Sequence, residues 1–111
     1  METTRQQKIA KLIQKELADI LIQKELNVYN AMLTVMKVSV TRDFSIARVY
    51  ISVFNTTDKQ QVIKAIRSNS REIRYELGQR VKNQLRIIPE LEFYIDDSLD
   101  YIENIENLLK S

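Results

Sequence analysis

The sequence predicts an α+β domain, a two-layer sandwich in which helices cover one small three-stranded sheet. Three observations carry this reading. Apolar residues recur at helical spacing in two long stretches. Elsewhere they alternate with polar residues, the period-2 signature of a half-buried strand. Short polar runs separate the two kinds of pattern. The resulting order is α-β-β-α-α-β, followed by a short C-terminal helix.

The first helix runs from about Thr4 to Gln23, where Ile9, Leu12, Ile13, Leu17, Ile20 and Leu21 form one stripe. Thr3 or Thr4 can cap its start. At about 100° per residue, Lys8, Lys11 and Lys15 fall on the opposite face. That face is either solvated or a phosphate-contacting edge. Residues 24–30 break the pattern and act as a connector. Two β-rich runs follow, Leu33 to Val40 and Ile46 to Phe54. In the second, Ala47, Val49, Ile51 and Val53 alternate with Arg48, Tyr50 and Ser52. The short stretch from Thr41 to Ser45 predicts an antiparallel hairpin.

From about Lys59 to Arg86 the pattern is helical again, with Val62, Ile66, Ile73, Leu77, Val81 and Leu85 as its stripe. Residues 67–72 contain no apolar side chain. Ser68, Asn69 and Ser70 compete for backbone hydrogen bonds, so a bend is expected there. Gly78, inside the second half, is expected to pack closely against a neighbouring element. Pro89 closes the helical region. Leu91, Phe93 and Ile95 then alternate with Glu92, Tyr94 and Asp96 as a third strand. Asp97-Ser98 can cap a last helix with Leu99, Ile102, Ile105 and Leu109 on its apolar face.

Composition narrows the function. The 111 residues make a single domain, 1–111, and 44% hydrophobic with 29% charged residues is ordinary for a globular chain. No apolar run approaches the roughly 20 residues of a membrane span, and the polar N-terminus lacks a secretory pattern, so a cytoplasmic protein is expected. Cysteine and histidine are absent, which removes thiol chemistry, the commonest metal ligand and the commonest general base. Gly78 is the single glycine, so no P-loop, dinucleotide fingerprint or GxxG loop can be built. No cofactor is expected. Asp96, Asp97 and Asp100 are the one acidic cluster, and a strand end followed by a helix cap explains them better than a Mg²⁺ site.

Charge is unevenly placed. Residues 1–89 carry 16 Lys/Arg against 8 Asp/Glu, whereas residues 90–111 carry one against 7. A basic body suggests a polyanion-facing surface. Lys64, Arg67, Arg71 and Arg74 follow each other at three- and four-residue steps, and such a row repels itself unless anions meet it. Lys82 and Arg86 extend the charge towards Pro89, and Arg42 and Arg48 add to it on the hairpin. Tyr50 and Tyr94 lie on the outward phase of their strands, where they either stack bases or pack under a helix. A rival to RNA binding is an adaptor that meets proteins through the acidic C-terminal helix.

The order without its last helix is that of a type II KH domain, and two segments are more specific. Residues 39–52, Ser-Val-Thr-Arg-Asp-Phe-Ser-Ile-Ala-Arg-Val-Tyr-Ile-Ser, resemble the hairpin of the ribosome-binding factor A family. Residues 85–98, Leu-Arg-Ile-Ile-Pro-Glu-Leu-Glu-Phe-Tyr-Ile-Asp-Asp-Ser, resemble that family's L-R-x-x-P-x-L-x-F-x-x-D-x-S signature. Pattern similarity covers about Arg5 to Leu109. The family's Ala-x-Gly kink is matched here by Ser68-Asn69-Ser70, without the glycine. The sequence ends at Ser111, so contacts through the family's C-terminal extension are not expected. The resemblance implies a KH type II-like fold and a non-catalytic assembly factor. Its partners would be the immature 30S subunit and 16S rRNA, with maturation of the 16S 5′ region assisted, release linked to assembly GTPases, and growth in the cold most dependent on it. A monomer with no membrane contact is expected.

Overall fold

The computed structural model describes residues 2–24, 32–54, 56 and 58–97. Within them the order is α1 (Thr4–Gln23), β1 (Met32–Val40), β2 (Ile46–Phe54), α2 (Lys59–Ser68), α3 (Ser70–Val81) and β3 (Glu90–Ile95). This is the expected α+β arrangement, helices on one face of a three-stranded sheet. The last helix and the connector of the sequence reading lie outside the described residues, except that Lys24 ends α1.

Thr3 starts α1 through a capping box. Its hydroxyl accepts from the Gln6 N–H at 3.1 Å, and the Gln6 side-chain oxygen accepts from the Thr3 N–H at 2.9 Å. The helix then buries Ala10, Ile13, Leu17, Ile20 and Leu21. Asp58 caps α2 by accepting from the Gln61 N–H at 3.4 Å.

The sheet order is β1-β2-β3. Strands β1 and β2 are antiparallel with a bulge between Val35 and Lys37, while β2 and β3 are parallel, Ile46 opposite Glu90 through Ile51 opposite Ile95. One sheet face presents Val35, Val38, Val40, Ala47, Val49, Ile51, Val53, Leu91 and Phe93 to the core, all buried. Against it α1 covers β1 and α2 covers β3, with α3 packed on α1. Ser52, on the opposite phase of β2, is also buried, where alternation predicted an outward side chain.

The bend falls at Asn69, and its chemistry explains why no glycine is needed. The Ser68 hydroxyl and the Asn69 side-chain amide both donate to the Ala65 carbonyl, at 2.9 and 2.8 Å, and so end α2. Asn69 sits at φ −98°, ψ 8°, with negative φ that any residue tolerates. The helical stretch expected to reach Arg86 stops earlier, at Val81. The Val81 carbonyl takes the amides of both Gln84 and Leu85, at 2.8 and 2.9 Å, which tightens the last turn. Leu85 stays buried although it has left the helix. A Cβ on Gly78 would meet Ile88 Cγ1 at 3.4 Å, an ordinary contact, so the helix backs onto Ile88 without demanding glycine.

Candidate nucleic-acid interface

The helices that cover the sheet turn their outer faces, and most of the cations, to solvent. On α1, Lys8, Lys11 and Lys15 are exposed on the side away from the buried stripe. Lys64 on α2 and Arg71 on α3 are exposed as well, as are Lys82 and Arg86 in the segment leading to Pro89. None of these seven has an ion-pair partner among the described residues.

Two members of the predicted row behave differently. Arg67 donates through Nε and Nη2 to the Phe93 carbonyl, at 3.1 and 2.7 Å. Arg74 donates through Nε to the Pro89 carbonyl at 3.1 Å and through Nη2 to the Ile88 carbonyl at 2.7 Å. A carbonyl accepts the hydrogen bond without cancelling the charge, so both remain cationic and exposed, but their guanidiniums are fixed against the sheet. The helix break at Asn69 also interrupts the regular spacing that linked Lys64 and Arg67 to Arg71 and Arg74. Ser68, Asn69 and Ser70 therefore form the bend between two short basic segments.

Local acids are drawn elsewhere. Arg80 on α3 meets Asp19 at 2.6 Å, Glu16 at 3.3 Å and Glu76 at 3.7 Å, and donates to the Gln23 side-chain oxygen at 2.8 Å. The hydrogen bond to Asp19 is the main influence holding its guanidinium in the charged form, against some opposing desolvation. One cation thus takes up three carboxylates of α1 and α3, and the outward lysines have no ion-pair partner among the described residues. Glu76 stands one helical turn before Arg80, a pairing that spacing alone can give, whereas nothing in the local sequence signals the two acids on α1.

On the hairpin, Arg48 is paired with Glu92 at 3.5 Å, and Arg42 is exposed. Tyr50 and Tyr94 are register partners and stack on each other, with ring centroids 5.5 Å apart. The Tyr94 hydroxyl donates to Glu92 at 2.7 Å, which raises its pKa. Beside this pair, along the outer edge of β3, runs a groove of about 340 Å³ lined by Arg67, Ser70, Leu91, Glu92, Phe93 and Tyr94. At the far end of β3, Asp97 pairs with Lys59 at 3.7 Å and the Asp96 N–H continues the ladder to the Ile51 carbonyl at 2.8 Å. Asp100 lies outside the described residues. Among those described, no three acidic side chains gather in a metal-binding group, and no helix is long and apolar enough to cross a membrane.

The comparisons with known proteins agree with the two motifs. The family model for ribosome-binding factor A matches residues 5–109. Ribosome-binding factor A of Flavobacterium psychrophilum is 52% identical over 98% of this chain and 85% of its own length. The crystal structure of ribosome-binding factor A from Thermus thermophilus superposes with a TM-score of 0.69 at 25% identity, over 81% of this chain and 94% of that one. A Thermus thermophilus ribosome binding factor A coordinate set, fitted into a cryo-electron microscopy map of a 30S complex, shares the fold. Its TM-score is 0.63 at 21% identity, with 87% of this chain and 97% of that one covered. A match that spans nearly the whole chain, at such identity and with the same fold, places it: the chain belongs to the ribosome-binding factor A family.

Proposed function

We propose that this protein binds the immature 30S subunit through 16S rRNA and assists maturation of the 16S 5′ region. It acts in the cytoplasm as a single-domain, non-catalytic monomer, and an assembly GTPase releases it. The observation that carries this reading is the set of exposed cations without described partners: Lys8, Lys11, Lys15, Lys64, Arg71, Lys82 and Arg86. The relative fitted into the 30S complex supports the choice of partner.

The chemistry is that of backbone recognition. Each cation that neutralises a phosphate releases a condensed counterion, which drives binding and makes it salt-dependent. Without a glycine loop to cradle phosphates, side chains on fixed helices must match the shape of folded RNA. Arg67 and Arg74 contribute charge from positions held by the sheet, a pre-organised arrangement.

Co-sedimentation on a gradient tests this. The protein should migrate with free 30S and not with 70S alone. Reversing Lys64 and Arg71 to Glu, together with Lys8, Lys11 and Lys15 to Gln, should abolish co-sedimentation while the fold persists. The log–log salt slope should be roughly −3 to −5 if about four to six phosphates are neutralised. Wild-type pelleting of that variant would remove these residues from the interface.

A further inference from the structure

We propose that a second pocket, where α1, the β1–β2 turn and residues 84–89 meet, receives one unstacked nucleobase of the bound RNA. The proposal rests on the RNA-binding reading above and adds a site to it. The pocket has a volume of about 160 Å³. Its floor is apolar, made by Ile9, Phe44, Leu85 and Pro89, and Arg5 and Arg86 stand at its rim. The two segments that carry the family resemblance, apart in sequence, converge on it. A drug-sized ligand wants roughly 300–1,000 Å³, so this volume suits a single planar ring.

Four further features fit a nucleotide. Phe44 holds φ at 60°, a left-handed backbone that bulky residues rarely adopt, and this puts its half-buried ring in the pocket wall. The turn is locked by Asp43, whose Oδ1 accepts from the Ser45 N–H, the Ser45 hydroxyl and the Thr41 hydroxyl at 3.1, 2.7 and 2.9 Å. Its Oδ2 takes no part in these bonds and is an acceptor for the N–H groups of a base edge. Arg5 lies 5.2 Å above the Phe44 ring, in the first turn of α1, which carries no acidic residue. A cation there opposes the helix dipole, and an incoming anion would relieve it. Ile87, next to the rim, is 63% exposed and has apolar surface to give. A nucleotide supplies the flat apolar body and the adjacent negative charge together, whereas a protein side chain would need an acidic neighbour to match the rim.

The test uses the full chain and a single-stranded ribonucleotide hexamer carrying one 2-aminopurine, with circular dichroism melts to check each variant's fold. Wild-type protein should quench the 2-aminopurine on binding. Phe44→Leu keeps the apolar floor without the ring, and should abolish the quench and weaken binding roughly tenfold. Arg86→Gln should weaken binding and lower the salt slope by about one. The Lys64→Gln, Arg71→Gln pair should weaken binding but leave the quench at saturation unchanged. A folded Phe44→Leu that quenches like wild type overturns the pocket, as does binding of the hexamer and of 30S by wild type with no quench. Loss of 30S binding by Phe44→Leu with hexamer binding and quench intact would assign the pocket to a protein side chain and also overturn it. Failure of the wild type to bind the hexamer and 30S alike would sink the RNA reading itself.

Discussion

The Arg67 guanidinium gives two hydrogen bonds to one acceptor, the carbonyl of Phe93. In a parallel strand pair, alternate residues face the neighbour, and β3 bonds to β2 through its even-numbered peptides, from Glu90 to Ser45 and from Asp96 to Ile51. The Phe93 carbonyl therefore points out from the sheet edge. Arg74 takes the Pro89 carbonyl on the same edge. Across the sheet, Gln6 donates to the Val40 carbonyl at 2.9 Å and Gln14 to the Val35 carbonyl at 3.0 Å. On both edges of the short sheet, outward carbonyls are thus occupied by helix side chains, which makes strand addition less favourable there.

Removing an edge clamp should loosen β3. Arg67→Ala is expected to lower stability by about 1–2 kcal/mol, because a charged donor with two bonds is lost beside a part-buried carbonyl. Arg74→Ala should behave likewise. Arg71→Ala, which has no described partner, should stay within about 0.5 kcal/mol. Urea unfolding of the three variants measures this. Equal effects at all three would show that the clamps contribute nothing beyond an exposed arginine.

The Arg80 hub ties α3 to α1. Arg80→Met keeps the aliphatic stem and removes the bonds to Asp19, Glu16 and Gln23, so it should cost about 1–2 kcal/mol. The effect is held down because the Asp19 side chain is 53% exposed and screened. A double-mutant cycle of Arg80→Met with Asp19→Asn should show coupling of about 0.5–1 kcal/mol. Strict additivity would mean that the two side chains do not support each other.

These contacts mark the boundary of what the sequence disclosed. The helix α1, both long strands and the bend were legible because core side chains and Ser/Asn chemistry act over a few neighbouring positions. The pairs Arg67–Phe93, Gln6–Val40 and Arg80–Asp19 are 26, 34 and 61 residues apart. A charged residue at helical spacing looks the same whether it faces water or a strand carbonyl, so the basic row read as uniform when two of its members are anchored. The end of α3 was misplaced for a related reason. Leu85 continues the four-residue apolar step although the chain has already turned at Val81.

Gly78 offers a gain. It lies inside α3 with negative φ, and an added methyl would find Ile88 at an ordinary distance. Glycine in a helix interior is about 1 kcal/mol less favourable than alanine. Gly78→Ala should therefore stabilise the fold by about 0.5–1 kcal/mol, read as a raised midpoint in urea with an unchanged slope. A lower midpoint would show that Ile88 cannot accept the contact.

The turn that presents Phe44 should weaken in acid. The Ser45 hydroxyl, then the Ser45 N–H and the Thr41 hydroxyl, hold the Asp43 carboxyl below its usual pKa. A group with a depressed folded pKa contributes stability above its unfolded pKa, about 3.9, and loses it as pH falls through the folded value. Asn at this position cannot supply the ionised acceptor at any pH. The melting temperature of wild type should exceed that of Asp43→Asn near neutral pH, and the gap should narrow below about pH 4. Thermal melts from about pH 7 to pH 2.5 measure it over the range in which the carboxyl titrates. A gap that stays constant through that range would mean that the hydrogen-bonded turn, and not its charge, is what Asp43 supplies.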